Sequence, residues 1–64
     1  MEGLDMAKIY TVTFLQGDTG QWVTSRLCQT LRAARQWAAF LMGKDYVREV
    51  AIYRGGIGGE RVTL

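Results

Sequence analysis

Apolar and polar positions alternate along Lys8–Gln16, KIYTVTFLQ, where Tyr10, Val12 and Phe14 share one face and Ile9, Thr11, Thr13 and Leu15 the other. Period-two alternation in β-branched and aromatic residues predicts a strand, and two partly apolar faces predict a central one. Gly17-Asp18-Thr19-Gly20 reads as a turn. Gln21–Leu27 alternates again, with Val23, Ser25 and Leu27 on one face and Trp22, Thr24 and Arg26 on the other. The period then changes. From Thr30 to Gly43, TLRAARQWAAFLMG, the residues are strong helix formers, and Leu31, Ala34, Ala38, Leu41 and Met42 form one stripe at about 100° per residue. Thr30 suits the N-cap, although Ala33 leaves the capping box incomplete. Gly43 suits a left-handed C-terminal position. Tyr46–Arg54 alternates as a third strand, with Arg48, Val50, Ile52 and Arg54 on one face and Val47, Glu49, Ala51 and Tyr53 on the other. Gly55–Gly59 reads as a loop and Glu60–Leu64 as a short last strand.

The chain is therefore expected to be one α+β domain over residues 1–64, ββαββ, with residues 1–7 a loose N-terminal segment. The helix carries the chain back across the sheet, so the third strand pairs antiparallel beside the first. This gives a four-stranded antiparallel sheet of order 2-1-3-4 with the helix on one face, and an antiparallel sheet can leave its other face in water. Tyr10, Val12, Phe14, Val23, Leu27, Val50, Ile52 and Val62 are expected beneath the helix. The open face is expected to show Thr11, Thr13, Trp22, Thr24, Arg26, Glu49, Tyr53, Arg61 and Thr63.

Composition narrows the function. A chain of 64 residues that is 48% apolar, with two tryptophans, three tyrosines and two phenylalanines, is a folded domain with a small core. The single cysteine, Cys28, has no internal partner and points to a reducing compartment. No run of about 18 apolar residues is present, so no membrane helix is expected. Met1–Lys8 carries Glu2 and Asp5 and does not read as a signal peptide. These features lead to a cytoplasmic expectation. There is no histidine, which removes the usual general base and the commonest metal ligand. Asp18, Asp45, Glu49 and Glu60 have no metal-loop spacing, and neither Cys28 nor Ser25 has an activating base in view. No enzyme activity, metal or cofactor is expected. The glycines of GGIGG precede a strand rather than a helix, so they do not make a phosphate cradle.

Charge points to binding instead. The net charge is +2, yet Thr19–Lys44 contains Arg26, Arg32, Arg35 and Lys44 and no acid. Six of the eight cations are arginine, whose planar fork suits carboxylates and phosphates. Trp37 lies at the edge of the helix's apolar stripe and Phe40 points away from it. The candidate partner-binding residues are Trp22, Arg26, Tyr53 and Arg61 on the open sheet face, and Arg32, Arg35, Trp37 and Phe40 on the helix. The two groups are expected on opposite sides of the sheet. Tryptophan, tyrosine and arginine are the residues most enriched at binding hot spots.

The size and element order resemble the small phage-encoded inhibitors called anti-CRISPR proteins. At least one type I inhibitor of that kind lays a helix of the S/T-L-x-x-A-x-x-x-A pattern on an antiparallel sheet, and Thr30-Leu31, Ala34 and Ala38 fit the pattern here. The resemblance carries over no functional residue. It implies a phage or mobile-element protein in a host cell's cytoplasm that binds a CRISPR–Cas surveillance complex or nuclease and blocks its action. The partner is then a protein or ribonucleoprotein complex, and a homodimer is compatible with the small size. The alternative, from the open-face residues alone, is a small nucleic-acid-binding module whose sheet stacks bases.

Overall fold

A computed structural model of the chain describes residues 9–55 and 59–62. The elements run β1 (Tyr10–Gln16), β2 (Trp22–Cys28), α1 (Leu31–Met42), β3 (Val47–Arg54) and β4 (Glu60–Val62). The sheet has four strands in the order β2-β1-β3-β4, every pair antiparallel, with one helix. Order and direction are those read from the alternation. The N-terminal segment 1–7, the Ile57 tip of the glycine loop and the Thr63–Leu64 end of the last predicted strand lie outside the described residues.

The first hairpin closes through Gln16, whose N–H donates to the Gln21 carbonyl at 2.8 Å while the Gly20 N–H donates to the Gln16 carbonyl at 2.8 Å. Gly20 takes φ of 70° there, a conformation that favours glycine. The helix begins as expected. Thr30 is extended, and its hydroxyl accepts the Ala33 N–H at 3.1 Å. It ends differently. Gly43 stays right-handed at φ −85°, and the last turn tightens through Gly43 N–H to the Phe40 carbonyl and Lys44 N–H to the Leu41 carbonyl. Such i→i+3 bonds satisfy end carbonyls without a left-handed residue.

The core lies between α1 and the central strands. Val12, Val50 and Ile52 from the sheet meet Ala34, Ala38 and Leu41 from the helix, with Cys28 at one side. Two alanines in the contact let the helix backbone approach the strands. The buried stripe is centred on Ala34, Ala38 and Leu41, so it is rotated toward Trp37 from the expected position. Leu31 is only partly buried, and Met42, expected inside, is 60% exposed.

β2 carries the larger departure. Val12 pairs with Arg26 and Thr13 with Thr24, which leaves Ser25 as an extra residue in the strand. This is a β-bulge, and it resets the alternation. Beyond it Arg26 shares Val12's face, the helix side, while Leu27 pairs with Thr11 and is 64% exposed on the other side. Arg26 and Leu27 have therefore exchanged the faces that strict alternation gives them. A second irregularity lies in β3, where Leu15 pairs with Glu49 and Gln16 with Val47, so that Arg48 is the additional residue.

Leu41 is 3% exposed at the centre of the helix–sheet contact. Leu41→Ala is expected to cost about 2–5 kcal/mol, the range for truncating a buried leucine. Urea denaturation followed by circular dichroism measures it, and a loss well under about 1 kcal/mol would place the helix elsewhere on the sheet.

Candidate functional site

The bulge and the helix build one surface together. Trp37 lies one turn from Ala34 and beside Ala38, so its ring leans over the flank of the sheet at β2. Its indole N–H donates to the Ser25 hydroxyl at 2.8 Å. That bond satisfies the one polar atom of the ring and fixes its direction. The Arg26 guanidinium carbon then sits 4.7 Å from the Trp37 ring centroid. Two adjacent residues of one strand reach the same ring because the bulge turns both toward the helix.

Phe40, three residues beyond Trp37, stacks on it with centroids 4.8 Å apart and planes 28° from parallel. The Lys44 ammonium lies 4.3 Å from the Phe40 centroid. Arg26, Trp37, Phe40 and Lys44 thus touch in that order, a row with a cation at each end and two rings between. A cation over an exposed ring contributes about 0.5–1 kcal/mol, and an aromatic pair about 0.5–1.5 kcal/mol beyond its buried area. The row is held in place before any partner arrives, which reduces the entropy lost on binding. Phe40 remains 49% exposed. Among the described residues, neither Arg26 nor Lys44 has a carboxylate partner. Their N–H groups stay available to an acceptor.

Beside the row runs a groove of about 540 Å³ between β2 and α1, lined by Arg26, Leu27, Cys28, Gln29, Ala33, Gln36, Trp37 and Phe40. Arg32 and Arg35 are exposed on α1. No acidic residue occupies the first turn of the helix, and Arg32 within that turn opposes its dipole.

The opposite face of the sheet is poorer in binding chemistry than expected. Trp22 is 47% exposed there, paired with Leu15. Tyr53 is half-buried opposite Thr11 and Arg61. Arg61 is engaged, donating to Glu49 at 3.0 Å. Thr11, Thr13 and Ala51 are buried, and Thr13 donates its hydroxyl to the Ala51 carbonyl at 3.1 Å. Thr63 lies outside the described residues.

Of the sequence candidates, the structure brings together Arg26, Trp37 and Phe40 and leaves Trp22, Tyr53 and Arg61 on the other side. The two groups lie on opposite sides of the sheet as expected, but the bulge moves Arg26 from the open face to the helix side. Ser25 and Lys44 join the row without having been candidates. Lys44 was signalled by its place in the acid-free stretch and its position one turn beyond Phe40, and Ser25 had no signal short of the bulge. No protein family, curated protein or solved structure matches the chain. Among the described residues, no three His, Cys, Asp or Glu side chains gather as a metal site, and no helix is long and apolar enough to cross a membrane.

Ser25→Ala removes the acceptor of the indole N–H and is expected to cost about 1 kcal/mol. Chemical denaturation and the near-ultraviolet tryptophan dichroism should both change. Unaltered values in both would show that the Ser25–Trp37 bond does not hold the ring.

Proposed function

We propose that the chain is a non-catalytic binding protein that occupies a site on a protein or ribonucleoprotein complex through its Arg26–Trp37–Phe40–Lys44 face. The observation that carries this reading is the row itself. Two cations without carboxylate partners and a half-exposed ring are held in fixed order beside a groove, in a stretch of sequence free of acids. Aromatic and arginine side chains supply most hot-spot energy, and prior ordering lets more of it appear as affinity.

The complex implied by the resemblance is a CRISPR–Cas surveillance complex or its nuclease in the cytoplasm of a host cell, and the action is inhibition by occupancy. A nucleic-acid module working from the open sheet face is less supported. That face holds Arg61 paired with Glu49, and Arg26 stands on the helix side.

Reversing both charges of the row, Arg26→Glu with Lys44→Glu, is expected to weaken partner binding by about a hundredfold, since charged interface groups typically carry a few kcal/mol. The fold should survive, because each lost cation–ring contact is worth only about 1 kcal/mol. Arg61→Glu should leave binding intact. CRISPR interference against a plasmid, in cells expressing each variant, reads inhibition directly. Interference that continues unaffected by the wild-type chain would reject the CRISPR partner. Loss of partner binding in Arg61→Glu alone would move the site to the open face.

A further inference from the structure

The groove beside the row has one wall made of strand and one of helix, and the strand is an edge. β2 ends the sheet order, and all its described ladder partners belong to β1. Alternate residues of an edge strand aim their N–H and C=O groups away from the sheet, where they template another strand. Natural edges are usually blocked by proline, lysine, shortness or a bulge; the Ser25 bulge interrupts β2, and the Arg26–Cys28 stretch that lines the groove pairs regularly beyond it. β2 has seven residues with neither proline nor lysine, whereas β4 at the other edge has three. Arg26–Gln29 forms the strand wall, and Ala33, Gln36, Trp37 and Phe40 form the helix wall. A strand laid along β2 would turn every second side chain toward that helix wall, where the small Ala33 leaves space between larger neighbours.

Charge selects the occupant. Arg26 stands at one end of the row and Lys44 at the other, Arg32 is exposed on the same helix, and Thr19–Lys44 holds no acid. The lining of this groove holds Arg26 and no acid, whereas another groove, of about 510 Å³, mixes Asp18 and Asp45 with Arg48. A second copy of this chain using the same edge would bring another Arg26 and Lys44 to a site already positive, which disfavours it. A nucleic acid would use the cations and rings but would leave the strand's outward amides without a ladder.

We propose that the groove takes an extended, acidic peptide segment of the partner, which adds to the outer edge of β2 as a fifth strand. Main-chain bonds to β2 supply affinity, and acidic side chains meeting Arg26 and Lys44 supply selectivity. This rests on the reading of the Arg26–Lys44 face as the binding surface, and it adds the chemistry of what binds there.

The test uses the full chain and labelled, capped peptides the length of β2. One alternates valine with glutamate, a second replaces each glutamate with lysine, and a third replaces each valine with proline. Fluorescence anisotropy should show saturable binding of the valine–glutamate peptide. The lysine peptide should bind at least about tenfold more weakly because its charge is wrong, and the proline peptide likewise because it cannot complete a ladder. Amide exchange in β2 should slow when the first peptide binds, and Arg26→Glu should abolish the effect. No binding of the valine–glutamate peptide up to millimolar concentration overturns the proposal, as does equal binding of the proline peptide. Tighter binding of oligothymidylate at the same site would make the occupant a nucleic acid. A concentration-dependent dimer with β2 amides protected in the absence of peptide would make it a second copy. If the peptides fail while the double charge reversal still abolishes partner binding, strand addition falls and the binding face stands. If the peptides bind and the double reversal spares the partner, the reading of the face as the functional surface falls, and this inference falls with it.

Discussion

The seat of α1 on the sheet governs the rest of the molecule. Two of the three buried helix side chains that meet the strands, Ala34 and Ala38, are alanine, with Leu41 the third, so the helix lies close to the strands and its position is set by backbone shape as much as by side-chain volume. It sits off-centre, over β3 and β1 more than over β2. An off-centre helix leaves the helix-side surface of β2 incompletely covered. Trp37 extends the cover sideways, Phe40 continues it, and the groove is the space that remains. A bulkier residue in place of either alanine would lift the helix and change core and groove together.

Electrostatics sort the two sides of the sheet. On the side away from the helix, Arg61 and Glu49 neutralise one another, while on the helix side, at the β3–β4 end, Arg54 lies 3.9 Å from Glu60. On the helix side, Arg26 and Lys44 rest on rings rather than on carboxylates. A ring holds a cation without cancelling its charge, because the attraction comes from the quadrupole of the ring. The chain's small net charge of +2 therefore understates the field at this one face.

The elements and their order were legible because each rests on local patterning. Alternation marks the strands, the glycines flanking Asp18-Thr19 mark the hairpin, Thr30 marks the helix start, and one helix crossing four strands leaves few arrangements. The site was legible only in part. Trp37 and Phe40 stood out because they break the helical stripe. Arg26 was singled out by type but assigned to the wrong face, since nothing in Thr24-Ser25-Arg26, with no glycine or proline, announces a bulge. Its cause is tertiary. Ser25 accepts the Trp37 N–H and Arg26 stacks on the same ring, and these contacts come from a helix later in the chain. Met42 was misassigned for a related reason, since the stripe's period locates a face but not how far it turns toward a large neighbour such as Trp37.

The bulge has a consequence for how this surface could change over time. β2 carries one residue more than its ladder with β1 requires. A shorter strand without Ser25 would keep Val12 opposite Arg26 and Tyr10 opposite Cys28, so the sheet would close with every present pairing retained. What would vanish is the anchor of the indole, leaving a ring with a cation above it and nothing to fix its orientation. The surplus residue thus separates two tasks that a strand normally performs together. Register is held by the regular positions, and the shape of the outer surface is set by strand length. Gain or loss of a single codon could therefore remodel that surface while leaving the fold beneath it unaltered.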